Sequence, residues 1–522
     1  MSDWGEGYVT TTDYTTSFFD TLAPSTLDTV AFFLSKRPAR RGSQFRYFEL
    51  GCGTGLTSIL LAAMNPEAQF AANDFNPGHV AIANDIIEAL GLTNITITDS
   101  SFADALAEQH EPYDYIVSHG VYTWVSQENR DLLVEFIGKN LKVGGYALLS
   151  YNCAAGWSPH DFLNVLFKSL LQGRDTTNPG LSREIVQQID ELFNLEEGHF
   201  TAEGPTKKFM EALNLGKHDP RYVMHEFGNE AWEPVYSHDA IEHMASQKLN
   251  FIGQSSPLHN LPLTGIPENT RGVLEGRPML QREMLVDLAM KRSFRSDVFV
   301  KGAIDKTPGV RRADFDATRF FTKFSIDLCR NTIDVPTGEI TLDENACSQI
   351  LAYIGAAGCN GRELREHCVG HGIDEHELFE FMCILCGVDY VLIEADPPAP
   401  FEAVDGVNRR LCAMALDGLR SINYLMSPRT RSALLVTLFD QLFFHIGETS
   451  SQARLCEQAL AEIKTRQIGI NGSDGEPLAG QALEDLVFSQ AETYLNQTLA
   501  VLRALHIAAA DDQVAEQKLA QV

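Results

Sequence analysis

The chain contains 522 residues, more than one compact core accommodates, so its length predicts two or three domains. Hydrophobic residues make up 44% and charged residues 21%, a globular composition that excludes bulk disorder. The formal net charge of -29 repels phosphate backbones and anionic lipid, so nucleic acid is not favoured as a partner.

The amino terminus and the hydropathy pattern predict where the protein is found. Residues 1–6 lack the basic and apolar regions of a secretory signal. No stretch approaches the roughly 18 uninterrupted apolar residues of a membrane span. A basic run at 36–41 is interpreted as a solvated loop. We therefore expect a cytoplasmic protein without membrane insertion.

Between residues 45 and 151, short apolar runs alternate with segments of helical periodicity. This alternation is typical of βαβ units around a buried parallel sheet and predicts an α/β, doubly wound, Rossmann-like domain. Helices are expected at 80–90 and 129–140. The predicted strands are 45–50, 69–73, 95–98, 115–118 and 146–151.

A helical stretch rich in charge follows from 162 to about 224, and we interpret residues 155–248 as a helical insertion or regulatory block. Two later strands, 249–253 and 297–301, are expected to complete the sheet as its last, edge-region pair. The first domain is therefore predicted to span residues 1–305.

The remainder of the chain is expected to be mainly helical. The pattern from 340 to 394 predicts a winged-helix-like module within a domain at 306–400, although the acidic balance argues against DNA binding. A proline-rich segment at 397–400 predicts a linker, and residues 401–522 are expected to form a helical C-terminal domain.

Cysteines and histidines near residue 370 raise the question of a zinc site. Cys383 and Cys386 form a CxxC, but they lie in an apolar, helix-like run in which free cysteine behaves as a small buried hydrophobe. Cys359, His367, Cys368 and His371 lie nearby in the sequence. Core packing is the favoured interpretation, and no metal is predicted.

A glycine-rich turn after the first strand carries the chemistry. Glu49 ends the strand, and Gly51, Gly53 and Gly55 form a turn that opens the next helix. Glycine at these positions lets a ligand approach the backbone closely. The spacing is GxGxG rather than the GxGxxG of dinucleotide sites, which favours the amino acid end of S-adenosylmethionine, with Glu49 receiving its amine.

The ends of the other predicted strands extend this site. Asp74, followed by Phe75, can accept hydrogen bonds from both ribose hydroxyls. Ser101 and Phe102 are expected to flank the adenine ring. His119 and Gly120 follow the fourth strand, and the backbone of His119 is the favoured contact with the cofactor.

These blocks resemble class I S-adenosylmethionine-dependent methyltransferases and, more narrowly, bacterial members that carry a methyltransferase regulatory domain. The resemblance rests on ELGCGTG at 49–55, NDFNP at 73–77, SHGVYTWV at 118–125 and LKVGG at 141–145, and extends to 222–227, 232–236 and 294–302. It implies a Rossmann-like sheet, a cofactor contact at Cys52 as well, and S-adenosylhomocysteine as product. Rickettsial protein lysine methyltransferases share this layout, which implies a protein lysine as acceptor.

Methyl transfer requires alignment of the acceptor and exclusion of water rather than a dedicated nucleophile. Aromatic side chains tolerate cationic and methylated amines, so aromatics near the pocket mouth are the acceptor-site candidates. Tyr122, Trp124 and His119 are the catalytic candidates, and His225 and Glu226 are either lid residues or a structural pair. Tyr8, Tyr14, Tyr151 and Trp157 are candidates for binding the acceptor.

Other functions are kept open. The acceptor can be a small molecule, or the chain can be a catalytically silent adaptor that retains the cofactor pocket. A dehydrogenase is disfavoured by the loop spacing, and a DNA-binding regulator is disfavoured by the acidic charge.

Overall fold

The computed structural model describes residues 16–39, 42–178, 180–201, 203–214, 217–324, 329–418, 422–447, 451–472 and 476–509. Its centre is a seven-stranded sheet whose strands follow the order β3-β2-β1-β4-β5-β7-β6. The strands are β1 (Arg46–Leu50), β2 (Gln69–Asn73), β3 (Ile95–Thr98), β4 (Tyr113–Ser118), β5 (Leu141–Asn152), β6 (Leu249–Gln254) and β7 (Phe294–Lys301).

The first five strands are parallel, whereas β7 is antiparallel to both β5 and β6. The Rossmann-like sheet and its late edge pair are therefore confirmed. The strand order reverses between β1 and β4, and a crevice opens at the carboxyl ends of the strands at such a reversal. This topology places the turn after β1 at the crevice.

Five helices accompany the first part of the chain: α1 (Pro24–Phe33), α2 (Leu56–Met64), α3 (Pro77–Leu90), α4 (Phe102–Ala107) and α5 (Gln127–Asn140). Local signals explain α3, because the Asn76 side chain caps its first turn, Pro77 occupies its first position and Gly91 ends it in the left-handed conformation. Every residue of α2 is buried. Helix α2 is therefore covered on all sides.

The helical insertion between β5 and β6 has its own apolar core, which includes Trp157, Phe167, Ile185 and Phe227. Its helices are α6 (Ala154–Trp157), α7 (Phe162–Leu171), α8 (Leu181–Phe193), α9 (Pro205–Leu213), α10 (Pro220–Gly228) and α11 (Ser237–Ser246). Four helices then lead from β6 to β7: α12 (Pro257–Asn260), α13 (Pro262–Gly265), α14 (Glu268–Leu274) and α15 (Met279–Met290).

The segment after β7 packs small sheets against helices. It comprises α16 (Pro308–Ala317), β8 (Arg319–Thr322), β9 (Thr332–Val335), β10 (Gly338–Thr341), α17 (Glu344–Ile354), β11 (Cys359–Asn360), α18 (Gly361–Gly370), α19 (Glu375–Gly387) and β12 (Val391–Ile393). Strands β11, β8 and β12 form one antiparallel sheet. The winged-helix-like arrangement stays a prediction.

The cysteines of this segment pack as the sequence indicated. Cys359, Cys368 and Cys383 are buried in one apolar core, against which Cys386 also packs. Within the ranges that the structure describes, no three His, Cys, Asp or Glu side chains are grouped so that they could hold a metal ion.

The last part of the chain comprises α20 (Phe401–Leu416), β13 (Tyr424–Ser427), β14 (Ser432–Leu435), α21 (Leu438–Ile446), α22 (Gln452–Arg466), α23 (Gln481–Thr493) and α24 (Leu499–Ala504). The β13–β14 hairpin was not predicted. Helix α20 packs on α2 and α3, so its Val404, Val407 and Leu411 belong to the same core as the sheet.

The 397–400 segment that was expected to be a linker is held in place. Arg431, which follows β13, donates to the carbonyls of Pro397 and Pro398. The same guanidinium donates to Asn65 Oδ1 at 2.8 Å, at the end of α2. No helix in the described part of the chain has the length and apolar character to cross a membrane.

Candidate active site

A cavity of about 350 Å³ lies at the crevice that the sheet topology predicts, beyond the carboxyl ends of β1 to β4. The turn after β1 forms one wall. The segments that follow β2, β3 and β4 form the others. Among the sequence-predicted cofactor residues, those that line it are Glu49, Gly51, Cys52, Gly53, Asp74, Phe75, Ser101, Phe102, His119 and Gly120.

The three glycines of the turn differ in structural role. Gly51, Gly53 and Gly55 all have positive φ, at 67°, 57° and 70°, which favours glycine. A Cβ on Gly55 would lie 2.5 Å from Cδ1 of Ile97, and Gly55 does not line the cavity. Gly55 therefore permits close packing of α2, whereas Gly51 and Gly53 face the cavity.

Glu49 is a buried carboxylate at the end of β1. It accepts a hydrogen bond from the Ser58 hydroxyl. Burial raises the pKa of Glu49 to about 7, the nearby Asp74 adding to the effect. No Lys or Arg occurs among the described residues that line the cavity. The carboxylate is thus desolvated without a cation from those residues.

Asp74, after β2, organises the turn. Its Oδ2 accepts from the Gly53 amide at 2.8 Å, and its Oδ1 accepts from the Asn76 amide at 3.0 Å and lies 3.1 Å from His79 Nδ1. Neighbouring Asn73 donates through Nδ2 to the Ser100 carbonyl, while its buried Oδ1 has no hydrogen-bond partner in the described ranges.

The strand ends that follow β3 and β4 complete the walls. Ser101 caps α4 and forms a capping box with Asp104, which fixes Phe102 at the start of the helix. The Gly120 amide donates to Ser150 Oγ at 2.8 Å, and Ser150 Oγ lies 2.9 Å from His119 Nδ1. Burial lowers the pKa of His119 to about 4, so its imidazole is neutral at pH 7.

Aromatic rings surround His119. The Phe19 ring centroid lies 4.1 Å away and the Phe294 centroid 5.7 Å away. Phe19 also lines the cavity, as does Trp124. Phe294 is 44% exposed, which is unusual for a residue within a sheet and places its ring at the surface. We call the rings of Phe19, Trp124 and Phe294, together with His119, the aromatic mouth.

Three aromatics that were expected at the pocket lie elsewhere. The Tyr122 hydroxyl lies 2.8 Å from His243 Nδ1, Tyr151 donates to Asp297, and Trp157 Nε1 donates to the Ser293 carbonyl. All three are almost fully buried and none lines the cavity. Proximity to a strand end does not determine which way a side chain points. Tyr8 and Tyr14 lie outside the described residues.

His225 and Glu226, on α10, do not line the cavity either. Asn152 Nδ2 donates to Glu226 Oε1 at 3.4 Å, and burial raises the pKa of Glu226 to about 7. Conversely, sequence reasoning missed Phe19, Asn73 and Phe294. Phe19 precedes α1 and Phe294 begins β7. Phe294 lies in the 294–302 block that resembles the family, but nothing in that block assigns it to the cavity. Only the tertiary fold brings the two rings to the site.

A second buried network lies below β5 and β7. Arg295 donates to Asp287 Oδ1 at 2.7 Å, to Asp297 Oδ1 at 3.0 Å and to Glu283 Oε2 at 3.0 Å. The Tyr151 hydroxyl donates to Asp297 Oδ2 at 2.7 Å. Arg295, Asp287 and Asp297 are at most 1% exposed. The Arg295, Asp287 and Asp297 side chains are closed to solvent, and the network ties β5 and β7 to α15.

The cavity residues fit a cationic cofactor. Glu49 offers a desolvated carboxylate, Asn73 offers an unpartnered buried acceptor, and the cavity lining has no described Lys or Arg that would repel a positive charge. An ammonium group and a sulfonium group both suit this lining. A pyrophosphate does not.

Comparisons with known proteins agree with this fit. Residues 42–194 match the family model described as a methyltransferase domain, and residues 219–301 match the one described as a predicted methyltransferase regulatory domain. The second match includes β6 and β7, so strands from both matched regions build one sheet.

Three similar proteins extend the comparison. An uncharacterised Synechocystis protein, sll1526, is 29% identical over 84% of this chain and 87% of its own length. A probable S-adenosyl-L-methionine-dependent methyltransferase of Haemophilus influenzae, TehB, is 27% identical over 20% of this chain and 36% of its own. The structure of PKMT2 from Rickettsia typhi with AdoHcy is 18% identical and covers 95% of this chain and 99% of its own, with a TM-score of 0.69.

The chain is a class I S-adenosylmethionine-dependent methyltransferase. It carries a methyltransferase regulatory domain, and its fold over nearly the whole length is that of the rickettsial structure.

Proposed function

We propose that the methyl acceptor is the side-chain amine of a lysine in a protein substrate. The aromatic mouth carries the proposal: Phe19, Trp124 and Phe294 surround or adjoin a neutral His119. Aromatic faces attract ammonium and methylated ammonium groups, and a neutral imidazole does not repel them. The net charge of -29 attracts basic partners over a longer range.

We further propose roles for the cavity residues. Glu49 pairs with the cofactor ammonium, and Asp74 accepts from the ribose hydroxyls while it holds the turn at Gly53. Phe75, Ser101 and Phe102 flank the adenine, and the backbone of Gly51, Cys52, His119 and Gly120 contacts the remainder. Bound S-adenosylmethionine supplies an electrophilic methyl group on a sulfonium. Gly55 acts through packing.

The residues of this chain then align the amine and exclude water. Phe19 and Trp124 enclose the approach to the sulfonium end of the cavity, which favours in-line displacement. His119, with its lowered pKa, is a weak base and does not need to accept the proton. The lysine therefore reaches the aromatic mouth as an ammonium and loses its proton to water before transfer, so that the neutral amine attacks the methyl group.

The proposal places the enzyme in the cytoplasm. All ten cysteines are free, and seven of them are buried. Unpaired thiols in this number suit a reducing compartment.

Labelled-methyl transfer tests the proposal. The purified full chain is incubated with methyl-labelled S-adenosylmethionine and a lysate of the source cells, and the protein fraction is hydrolysed to amino acids. Methyl-lysine is expected to carry the label. The Asp74→Ala variant serves as the control, because its cofactor site is impaired.

The other possible results separate the alternatives. Label in the small-molecule fraction alone overturns the lysine acceptor and indicates a small-molecule methyltransferase. Cofactor binding by calorimetry without any labelled product indicates the silent adaptor.

A further inference from the structure

A second groove, of about 450 Å³, lies on the regulatory block beside the cofactor cavity. One side is formed by the start of the insertion, including Asp161, Asn164 and Val165. The other side is the extended segment from Trp232 to Pro234. None of these residues belongs to the cofactor cavity.

Two buried donors in this groove have no partner in the described part of the chain. They are Asn164 Nδ2 and Trp232 Nε1. Asn164 is only 4% exposed, and both residues line the groove. A buried donor without an acceptor is costly, and native proteins leave few of them. Their shared position indicates that a ligand supplies the acceptors.

The charges in the groove define that ligand. Asp161 places a carboxylate on the lining, which disfavours phosphates and other anions, whereas the Glu233 carboxylate already accepts from Arg130 at 2.9 Å. Among the described residues that line the groove, Lys168 is the one cation, and its Nζ donates to the Glu230 carbonyl at 3.0 Å. The ligand therefore presents neutral acceptors to Asn164 and Trp232 and donors to Asp161, the pattern of a polypeptide main chain.

Backbone hydrogen bonds connect the lining of the groove to segments beside the cofactor cavity. The Glu233 amide donates to the Thr123 carbonyl at 3.0 Å, and the next residue, Trp124, lines the cofactor cavity. The Val235 amide donates to the Asn152 carbonyl at 3.1 Å, which ties the same segment to the end of β5. The segment from Trp232 to Val235 is thus joined by backbone hydrogen bonds to the chain after β4 and to the end of β5.

We propose that this groove binds the main chain of the acceptor polypeptide beside the lysine that is methylated. Asn164 and Trp232 donate to backbone carbonyls, and Asp161 accepts from a backbone amide. Val165, 68% exposed, packs against a substrate side chain. This inference rests on the proposed lysine acceptor and adds where its flanking residues bind.

A matched pair of variants tests it. Trp232→Phe and Asn164→Leu remove one unpartnered donor each while keeping the volume. Trp157→Phe is the control, because it makes the same change at an indole whose Nε1 already donates to Ser293. The probes are a pool of 15-residue peptides with a central lysine and randomised flanks, and N-acetyl-lysine amide, which is too short to reach the groove.

The readout is the ratio of kcat/KM for the peptide pool to that for N-acetyl-lysine amide. We expect each groove variant to lower this ratio about two- to tenfold, through KM, as one lost neutral hydrogen bond does. Trp157→Phe is expected to lower the melting temperature without changing the ratio.

Two results would contradict binding of the acceptor polypeptide in the groove without contradicting the proposed lysine acceptor. One is an unchanged ratio in both groove variants. The other is a change in sedimentation coefficient instead of KM, which makes the groove an interface between copies. If the wild type methylates neither probe nor any protein lysine in the lysate, the proposed function itself fails and this inference falls with it.

Discussion

Two groups of buried carboxylates lie along the same sheet, and the chain treats them differently. Beside β5 and β7, Asp287 and Asp297 receive hydrogen bonds from Arg295. At the carboxyl ends of β1 and β2, Glu49 and Asp74 accept from a hydroxyl, backbone amides and an imidazole, and no described Lys or Arg lines their cavity.

The difference separates structure from function. A buried charge is costly unless it is paired, and Arg295 pairs with its neighbouring carboxylates without any ligand. The Glu49 carboxylate, in contrast, is desolvated, and no described Lys or Arg that lines the cavity neutralises it. Substitution of Arg295 disrupts the paired carboxylates, and substitutions of Asp74, Glu49 and His119 test the cavity.

The largest effect is expected from Arg295→Leu. This change leaves Asp297 buried without its cation and leaves Asp287 with only the longer 3.6 Å pair to Arg292, and losing one partner of a buried pair costs about 3–5 kcal/mol. Equilibrium unfolding in urea measures the loss. The exposed pair of Arg174 and Glu184 gives the control, and Arg174→Ala is expected to cost less than about 1 kcal/mol. Equal midpoints in the two variants would contradict the role of the network.

Asp74→Ala is expected to weaken S-adenosylmethionine binding about ten- to a hundredfold. The Asp74 carboxylate accepts from the amides of Gly53 and Asn76, and charge-assisted hydrogen bonds each contribute about 1.5–3 kcal/mol. Calorimetric titration provides the dissociation constant. The exposed acid Glu88 on α3 offers a control of equal charge change, and binding by Asp74→Ala at the strength of Glu88→Ala would rule the role out.

Glu49 predicts a pH dependence of cofactor affinity. Its pKa, raised to about 7 by burial, falls when an ammonium group binds, because the charged carboxylate is then stabilised. Affinity is therefore full above pH 7 and falls by up to about tenfold per unit below it, as binding must first release a proton. Titrations from about pH 5.5 to 7.5 measure this slope. Glu49→Gln is expected to bind more weakly and without the slope, and a flat wild-type profile would refute the assignment.

The smallest effect is expected from His119→Asn on the pH profile of turnover. Burial lowers the pKa of His119 to about 4, so the imidazole stays neutral as pH rises from about 6 to 9. The profile of kcat/KM should rise only with deprotonation of the acceptor amine. The variant should keep the shape of this curve. Loss of an ionisation near pH 6 would instead identify His119 as the base.

Sequence patterns predicted the sheet and most of the cofactor cavity. Parallel strands in βαβ units have buried, apolar runs, and their carboxyl ends meet at one edge, so Asp74 and His119 could be placed together from local signals. The positive φ of Gly51 and Gly53 follows from the same motif.

The aromatic mouth could not be predicted in this way. Tyr122 and Tyr151 lie next to strand ends but point into the core, where His243 and Asp297 contact their hydroxyls. Phe294 lies 175 residues after His119 and reaches it only because β7 is antiparallel to β5. The contacts of a side chain depend on long-range packing, and the periodicity of the sequence contains no information about that packing.

Arg431 has a consequence for synthesis of the protein. Its guanidinium reaches Asn65, 366 residues earlier in the chain, and α20 covers α2 beside it. At about 5–20 residues per second, the ribosome needs roughly 20–70 s to produce the residues that separate them. During that interval the helix behind the glycine turn has an uncovered apolar face. Until α20 and Arg431 have been synthesised, the nascent methyltransferase therefore carries exposed apolar surface beside its completed sheet strands.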